Sequence, residues 1–181
     1  MTRTPAPPDA LSARLRVLEA ERAASDVLSR YFDLCDVPGP LSDTAQLAAL
    51  FTPDAVWQGV GDAYERKFGR LDGRDAIVAM VAGHLPPDGS FVANAHVLGA
   101  GRVTADGDEA AGQWLMQQVS RTPDGRGELR CARITVDFEL SQDADAALIR
   151  HFRTELLFVA ALDAAAAASA LGATQHEKED R

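Results

Sequence analysis

The sequence predicts an α+β domain in which a curved antiparallel sheet wraps around a long N-terminal helix. Three observations carry that prediction. Apolar residues recur at helical spacing from Leu11 to about Cys35. From Phe91 onward the chain alternates in strand-length stretches divided by short turns rich in Asp and Gly. Helical patterns come first and strand patterns later, which is the segregated order of an α+β fold.

Within the first helix Val17, Ala20, Ala24, Val27, Leu28, Tyr31, Leu34 and Cys35 share one face, and Arg16, Glu19, Arg22, Asp26 and Arg30 the other. At about 1.5 Å per residue it is roughly 35 Å long, enough to cross a small domain. Asp36-Val37-Pro38-Gly39-Pro40 stops it. A second helix, capped by Ser42 or Asp43, buries Leu47, Leu50 and Phe51. Thr52-Pro53-Asp54 reads as a turn, 55–60 as a short strand, and 62–70 as a polar loop whose Tyr64 and Phe68 could fold over something. A third helix runs from Asp72 to about Leu85, with Ala76, Ile77, Met80, Val81 and His84 inward or near it. Strands are then expected over 91–104, 109–122, 128–140 and 147–161, joined by Asp- and Gly-bearing turns into a meander, which twists and curls. The domain limits follow: a disordered Pro- and Ala-rich lead-in over 1–10, one domain over 11–162, and a short Ala-rich helix with a polar tail over 163–181.

A chain of 181 residues with 46% hydrophobic content is long enough for one well-buried core. No apolar run approaches the roughly 18–20 residues of a membrane span. The net charge of −9 argues against nucleic acid or an anionic membrane as partner. Cys35 and Cys131 have no metal-like spacing and read as free thiols of a reducing, cytoplasmic compartment. No phosphate loop, nucleophile elbow or metal triad is present in the sequence, so the expectation is chemistry with no cofactor and no metal.

The stretch Phe91–Leu98 carries the best candidate for function. Its alternation puts Val92, Asn94, His96 and Leu98 on one face. If that face lines a cavity, the cavity is greasy and holds a group able to move a proton near neutral pH. Alone, such a histidine is more often a core residue bonded to a neighbour. His84 and His151 read as structural or surface, His176 as tail, and Asp33 as solvated.

Tyr31-Phe32-Asp33-Leu34-Cys35-Asp36, Leu50-Phe51-Thr52-Pro53-Asp54-Ala55-Val56-Trp57, Gly73-Arg74-Asp75-Ala76-Ile77, Asn94-Ala95-His96-Val97 and Asp106-Gly107-Asp108-Glu109-Ala110 together resemble the SnoaL-like branch of the nuclear transport factor 2-like superfamily. The resemblance covers about residues 11–162. It implies an α+β cone with a pocket roofed by the first helix. Members include polyketide cyclases, scytalone and bile-acid dehydratases, dehydrochlorinases, ketosteroid isomerases, limonene epoxide hydrolase and dioxygenase small subunits. In the dehydratases a carboxylate near the end of the first helix pairs with a sheet histidine, and a tyrosine assists. By resemblance these are Asp36, His96 and Tyr31. Tyr31 and Asp36 are about 140° apart on a continuous helix, so they share a pocket only if the helix ends at Cys35. Where scytalone dehydratase has a second histidine, this chain has Cys131 and Arg133. Where the bile-acid enzymes have a further acid, it has Gln117 and Gln118. An arginine on the last strand is implied as well, and Arg150 and Arg153 both qualify, on opposite faces of a regular strand.

The expectation is therefore a cofactor-free lyase or isomerase of dehydratase or cyclase type, acting on a small apolar molecule. The alternative is a non-catalytic ligand-binding cone or a dioxygenase small-subunit relative. Catalytic candidates are Asp36, His96, Tyr31, Arg150 and Arg153. Lining candidates are Trp57, Asn94, Val92, Leu98, Trp114 and Phe152. If Arg133 and Asp137 faced inward, they would allow a water-activating Asp-Arg-Asp site. If instead the polar face of 128–140 lines the cavity, the apolar face of Ala132, Ile134, Val136, Phe138 and Leu140 is left for a second copy, and a homodimer or trimer is expected.

Overall fold

The computed structural model describes residues 8–41, 43–87 and 89–162. The elements run α1 (Pro8–Cys35), α2 (Ala45–Ala48), β1 (Phe51–Val60), α3 (Gly61–Phe68), β2 (Arg70–Asp72), α4 (Arg74–Ala82), β3 (Ala93–Leu98), β4 (Arg102–Asp106), β5 (Glu109–Arg121), β6 (Gly127–Leu140) and β7 (Ala147–Leu162). Helix α1 thus starts inside the expected lead-in. The Ala-rich helix and tail expected over 163–181 lie outside the described residues. Among the described residues no helix is long and apolar enough to cross a membrane.

Among the described residues seven strands form one curved sheet in the order β2-β1-β7-β6-β5-β3, with β4 also on β5. The meander pairs antiparallel as expected, but β1 runs parallel to β7, so the sheet is mixed. The reason is an edge. The last strand of a meander leaves a row of unpaired backbone groups. The chain before α3 supplies their partner, running parallel to β7. The expected single strand 91–104 breaks at Gly99–Gly101 into β3 and β4, which follow one another along β5. A Cβ at Gly101 would stand 1.8 Å from Nε1 of Trp114 and one at Gly112 2.2 Å from the far edge of the same ring. The indole lies flat over both glycines, and the break accommodates it.

Ala132, Ile134, Val136, Phe138 and Leu140 are all buried, together with Ala24, Leu28 and Leu34 of α1. The apolar face of β6 is therefore the concave one, covered by α1. This corrects the orientation on which the expected oligomer was argued: the polar face points outward, where Arg133 pairs with Glu155 at 2.6 Å and Arg153 with Asp137 at 2.9 Å. An inward water-activating site built on Arg133 and Asp137 is ruled out by the same geometry. Val27, Leu28 and Tyr31 are buried as the helical pattern predicts, whereas Val17 is 42% exposed because burial along α1 begins only at Ala20.

Two further corrections bear on the site. Residues 61–68 form helix α3, not a loop. Its Tyr64 and Phe68 stack edge-on at 5.1 Å, and Phe68 meets Trp57 at 5.3 Å, so the segment closes over the open end of the sheet. Helix α2 is a single turn, with the Asp43 carboxylate accepting the Ala45 N–H at 2.9 Å, and Phe51 opens β1.

Candidate active site

The site begins where α1 stops. The helix ends at Cys35, and Val37 then pairs with Asn94 of β3 like one more rung of the sheet. Val37 N–H donates to the Asn94 carbonyl at 2.8 Å, and Asn94 N–H donates back at 2.8 Å. That short bridge fixes the register of Asp36 against His96, two residues along β3. Oδ1 of Asp36 accepts the backbone N–H of His96 at 2.9 Å and lies 2.8 Å from its Nδ1. A carboxylate oxygen that already accepts one N–H takes the ring nitrogen as a second donor, so Nδ1 carries the hydrogen. Nε2 has no hydrogen-bond partner among the described residues. The His96 side chain is 8% exposed and that of Asp36 28%. The His96 ring also packs against Phe32, centroids 5.0 Å apart.

Asn94 is the brace of this arrangement. Its Nδ2 donates to the Cys35 carbonyl at 3.2 Å, and its Oδ1 accepts from Gln118 at 2.8 Å and from Ser120 at 2.9 Å. One buried amide thus ties the helix end to β5 and satisfies a carbonyl that α1 leaves open at its C-terminus.

His96 lies in the wall of a cavity of about 930 Å³. Tyr31, Trp57, Tyr64, Phe68 and Asn94 line it too, below helices α3 and α4. Trp57 Nε1 donates to the Tyr31 hydroxyl at 3.3 Å. Burial, and secondarily the adjacent Cys35 thiol, hold the Tyr31 pKa well above its ordinary value, so Tyr31 stays a neutral phenol. The Cys35 thiol is pushed up to about 12, mainly by burial, and stays protonated. The open end carries charge: Lys67, Glu128, Arg130 and the Asp124–Arg126 pair.

Of the predicted residues, the structure brings Tyr31, Trp57, Asn94 and His96 together in the cavity wall, with Asp36 behind His96. Phe152 is one layer back, stacked on Trp57 at 5.6 Å and tilted against Tyr31 at 5.1 Å. Leu98 packs into the core, and Trp114 meets Phe138 at 6.3 Å over the glycines described above; neither lines this cavity. Val92 precedes β3, is 46% exposed, and is not part of the wall. Arg150 and Arg153 both point outward, to Glu109 and to Asp137. Regular alternation would have split them. In β7, however, His151 pairs with Asp137 and Ile149 with Phe138, so Arg150 is the extra residue of a bulge that places both arginines on one face.

Lys67, Gln118, Glu128, Arg130 and His84 line the cavity without having been anticipated. For Glu128 and Arg130 the signal was present: they fall on the same even-numbered face of β6 as Ala132 and Ile134, and follow once that face is known to be concave. Among the described residues no three His, Cys, Asp or Glu side chains cluster to hold a metal ion.

A long helix laid into a curved sheet, over a deep cavity with a histidine–carboxylate pair in its wall, defines a cone-shaped α+β pocket protein. The chain belongs to the SnoaL-like domain family, whose sequence profile matches residues 16–153. It is similar in structure to a type 2 hexachlorocyclohexane dehydrochlorinase, LinA (TM-score 0.68, 16% identity, covering 83% of this chain and 94% of that one). An NTF2-like protein with a cystatin-like fold from Novosphingobium aromaticivorans is similar at TM-score 0.65 and 26% identity, over 90% of this chain and 96% of that one. A scytalone dehydratase-like protein from the same organism matches at TM-score 0.64 and 15% identity, over 79% and 87%. No curated protein matches the chain in sequence.

Proposed function

We propose that the cavity is the active site of a cofactor-independent lyase or isomerase, in which His96 takes a proton from a small, largely apolar molecule and Asp36 holds and balances the imidazole. The observation that carries this reading is the double acceptance at Asp36 Oδ1, which fixes the ring and leaves Nε2 for the cavity. Nε2 removes a proton from a carbon activated by a neighbouring carbonyl. The electron pair left behind forms a carbon–carbon double bond, and either a leaving group departs from the next carbon or the proton returns elsewhere. The imidazolium formed meets the Asp36 carboxylate at once. Tyr31, a neutral phenol whose oxygen accepts from Trp57, keeps its own hydrogen to donate to developing negative charge. The elimination in the name dehydrochlorinase and the water loss in the name dehydratase, among the structural neighbours, support a lyase.

The test is a panel of hydroxylated polyketides and steroids, scored for dehydration and double-bond isomerisation with the parent and His96→Ala. Turnover should fall by roughly 10²–10⁴-fold in the variant with folding intact. Undiminished turnover in His96→Ala removes the histidine from the mechanism. Binding without turnover across the panel favours a ligand-binding cone instead.

A further inference from the structure

The proposed chemistry leaves the charges around the opening of the cavity without a role. Arg130 projects from β6 into the opening, its side chain 19% exposed. Its guanidinium lies 5.7 Å from the Phe91 ring centroid, and one edge pairs with Glu128. A guanidinium has five N–H donors, and among the described residues Glu128 is the partner Arg130 has. Across the opening, Lys67 of α3 stands 4.8 Å from the Phe68 ring centroid and has no ion pair among the described residues. Arg126, also in the lining, is neutralised by Asp124 at 2.7 Å. Glu128 answers Arg130, Asp124 answers Arg126, and the ammonium of Lys67 is left over. A chain with a net charge of −9 thus presents a locally positive rim at the entrance to its cavity.

We infer that the cavity binds an amphipathic acid, with its apolar body against Trp57, Tyr64 and Phe68 and its carboxylate between Lys67 and Arg130. That another part of the molecule reacts at His96, which lies level with Arg130 across Gln118 of β5, rests on the function proposed above; the anion subsite itself does not. A carboxylate there supplies the charge that Lys67 lacks and accepts guanidinium hydrogens that Glu128 leaves unused. Partial burial and the neighbouring Arg130 charge both lower the Lys67 pKa, with Glu128 opposing more weakly, as expected of a cation short of a counter-charge. The aromatic rings under both cations keep them in place without neutralising them.

The test is calorimetric titration of the full chain at pH 7 and low salt with 2-naphthylacetate and with its uncharged isostere 2-naphthylacetamide. The acid should bind at least about tenfold more tightly, and raising the salt should weaken the acid alone. Lys67→Gln should reduce the preference several-fold at unchanged amide affinity, and Lys67→Glu should abolish it. Lys67 is the position to vary because it is exposed, whereas removing Arg130 strands Glu128. Equal affinity for acid and amide, a preference that survives Lys67→Glu, or failure of both compounds to bind at millimolar concentration overturns the inference. Acid preference without turnover on any panel keeps the subsite and removes the reaction. Turnover of neutral compounds without acid preference does the reverse.

Discussion

Replacing Asp36 by Asn separates the structural from the chemical task of the carboxylate. Oδ1 accepts two N–H groups, both from His96, at 2.9 and 2.8 Å. The amide oxygen of Asn can accept the same two, so the turn after α1 and its bridge to Asn94 should persist. What is lost is charge. A hydrogen bond to a charged group contributes about 1.5–3 kcal/mol and a neutral one about 0.5–1.5. At about 1–1.5 kcal/mol per bond, the expected loss of stability for the two bonds is at most about 2–3 kcal/mol, less what the partial exposure of Asp36 screens away, read as a shift in urea midpoint. Turnover should suffer more. An imidazolium and a carboxylate about 4 Å apart attract by about 4 kcal/mol at an effective dielectric of 20. The 28% exposure of the Asp36 side chain discounts that figure through solvent screening. A loss of roughly 10- to 10³-fold in kcat is expected. Asp36→Ala, by contrast, leaves both His96 N–H groups without an acceptor and should cost more stability than Asn does. Parental kcat in Asp36→Asn would refute the claim that the carboxylate balances a transient imidazolium. Loss of folding in Asn equal to that in Ala would show that the pair is a structural clamp and little else.

Two further outcomes are expected. Burial raises the Cys35 pKa from its ordinary 9.0 to about 12, and Tyr31 is raised as well. The folded chain then holds protons that the unfolded chain has lost, so stability is fully present below pH 9 and falls as pH rises from there toward 12, by up to about 1.4 kcal/mol per unit for Cys35. Urea titrations at several pH values should show that slope flatten in Cys35→Ala, and an unchanged slope would contradict the burial of the thiol. Gly101→Ala forces a methyl group into the Trp114 indole, whose far edge lies over Gly112. It should cost about 1–3 kcal/mol, and in a Trp114→Ala background the added cost should vanish, because the clash partner is gone.

The fold was legible because its signals are long and redundant. Helix α1 repeats its apolar face over many turns, and β5 to β7 alternate over a dozen residues or more, divided by Asp–Gly turns. What was not legible depends on single residues or on edges. Nothing in the composition of 51–60 says which strand it joins or in which direction, so the parallel β1–β7 pair could not be read. Residues 61–68 carry glycine at the start and four charged side chains, which hides a helical turn whose apolar content is Ala63, Tyr64 and Phe68. The bulge at Arg150 shifts every outward residue before it by one place, and no local feature of Leu148-Ile149-Arg150-His151 announces it.

The candidate site was legible where it lies on the regular part of β3 and illegible where it depends on which face is concave. Asn94 and His96 face inward because alternation says so, and Val92 fails because the strand begins one residue after it. The decisive feature is not on β3 at all. It is the two-residue exit from α1, where Val37 pairs with Asn94 and the Asn94 amide holds the Cys35 carbonyl. Those bonds fix the last helical carbonyl and the first residue beyond Asp36, so the carboxylate between them has little freedom except to face His96. The broken helix also lets Tyr31, on the last turn, share the cavity with a pair that a continuous helix would have turned away from it. A substitution that lengthened α1 by a single residue would rotate Asp36 by about 100° and separate the pair while leaving the sheet intact. The placement of the Asp36–His96 pair therefore depends on where one helix ends more than on either side chain.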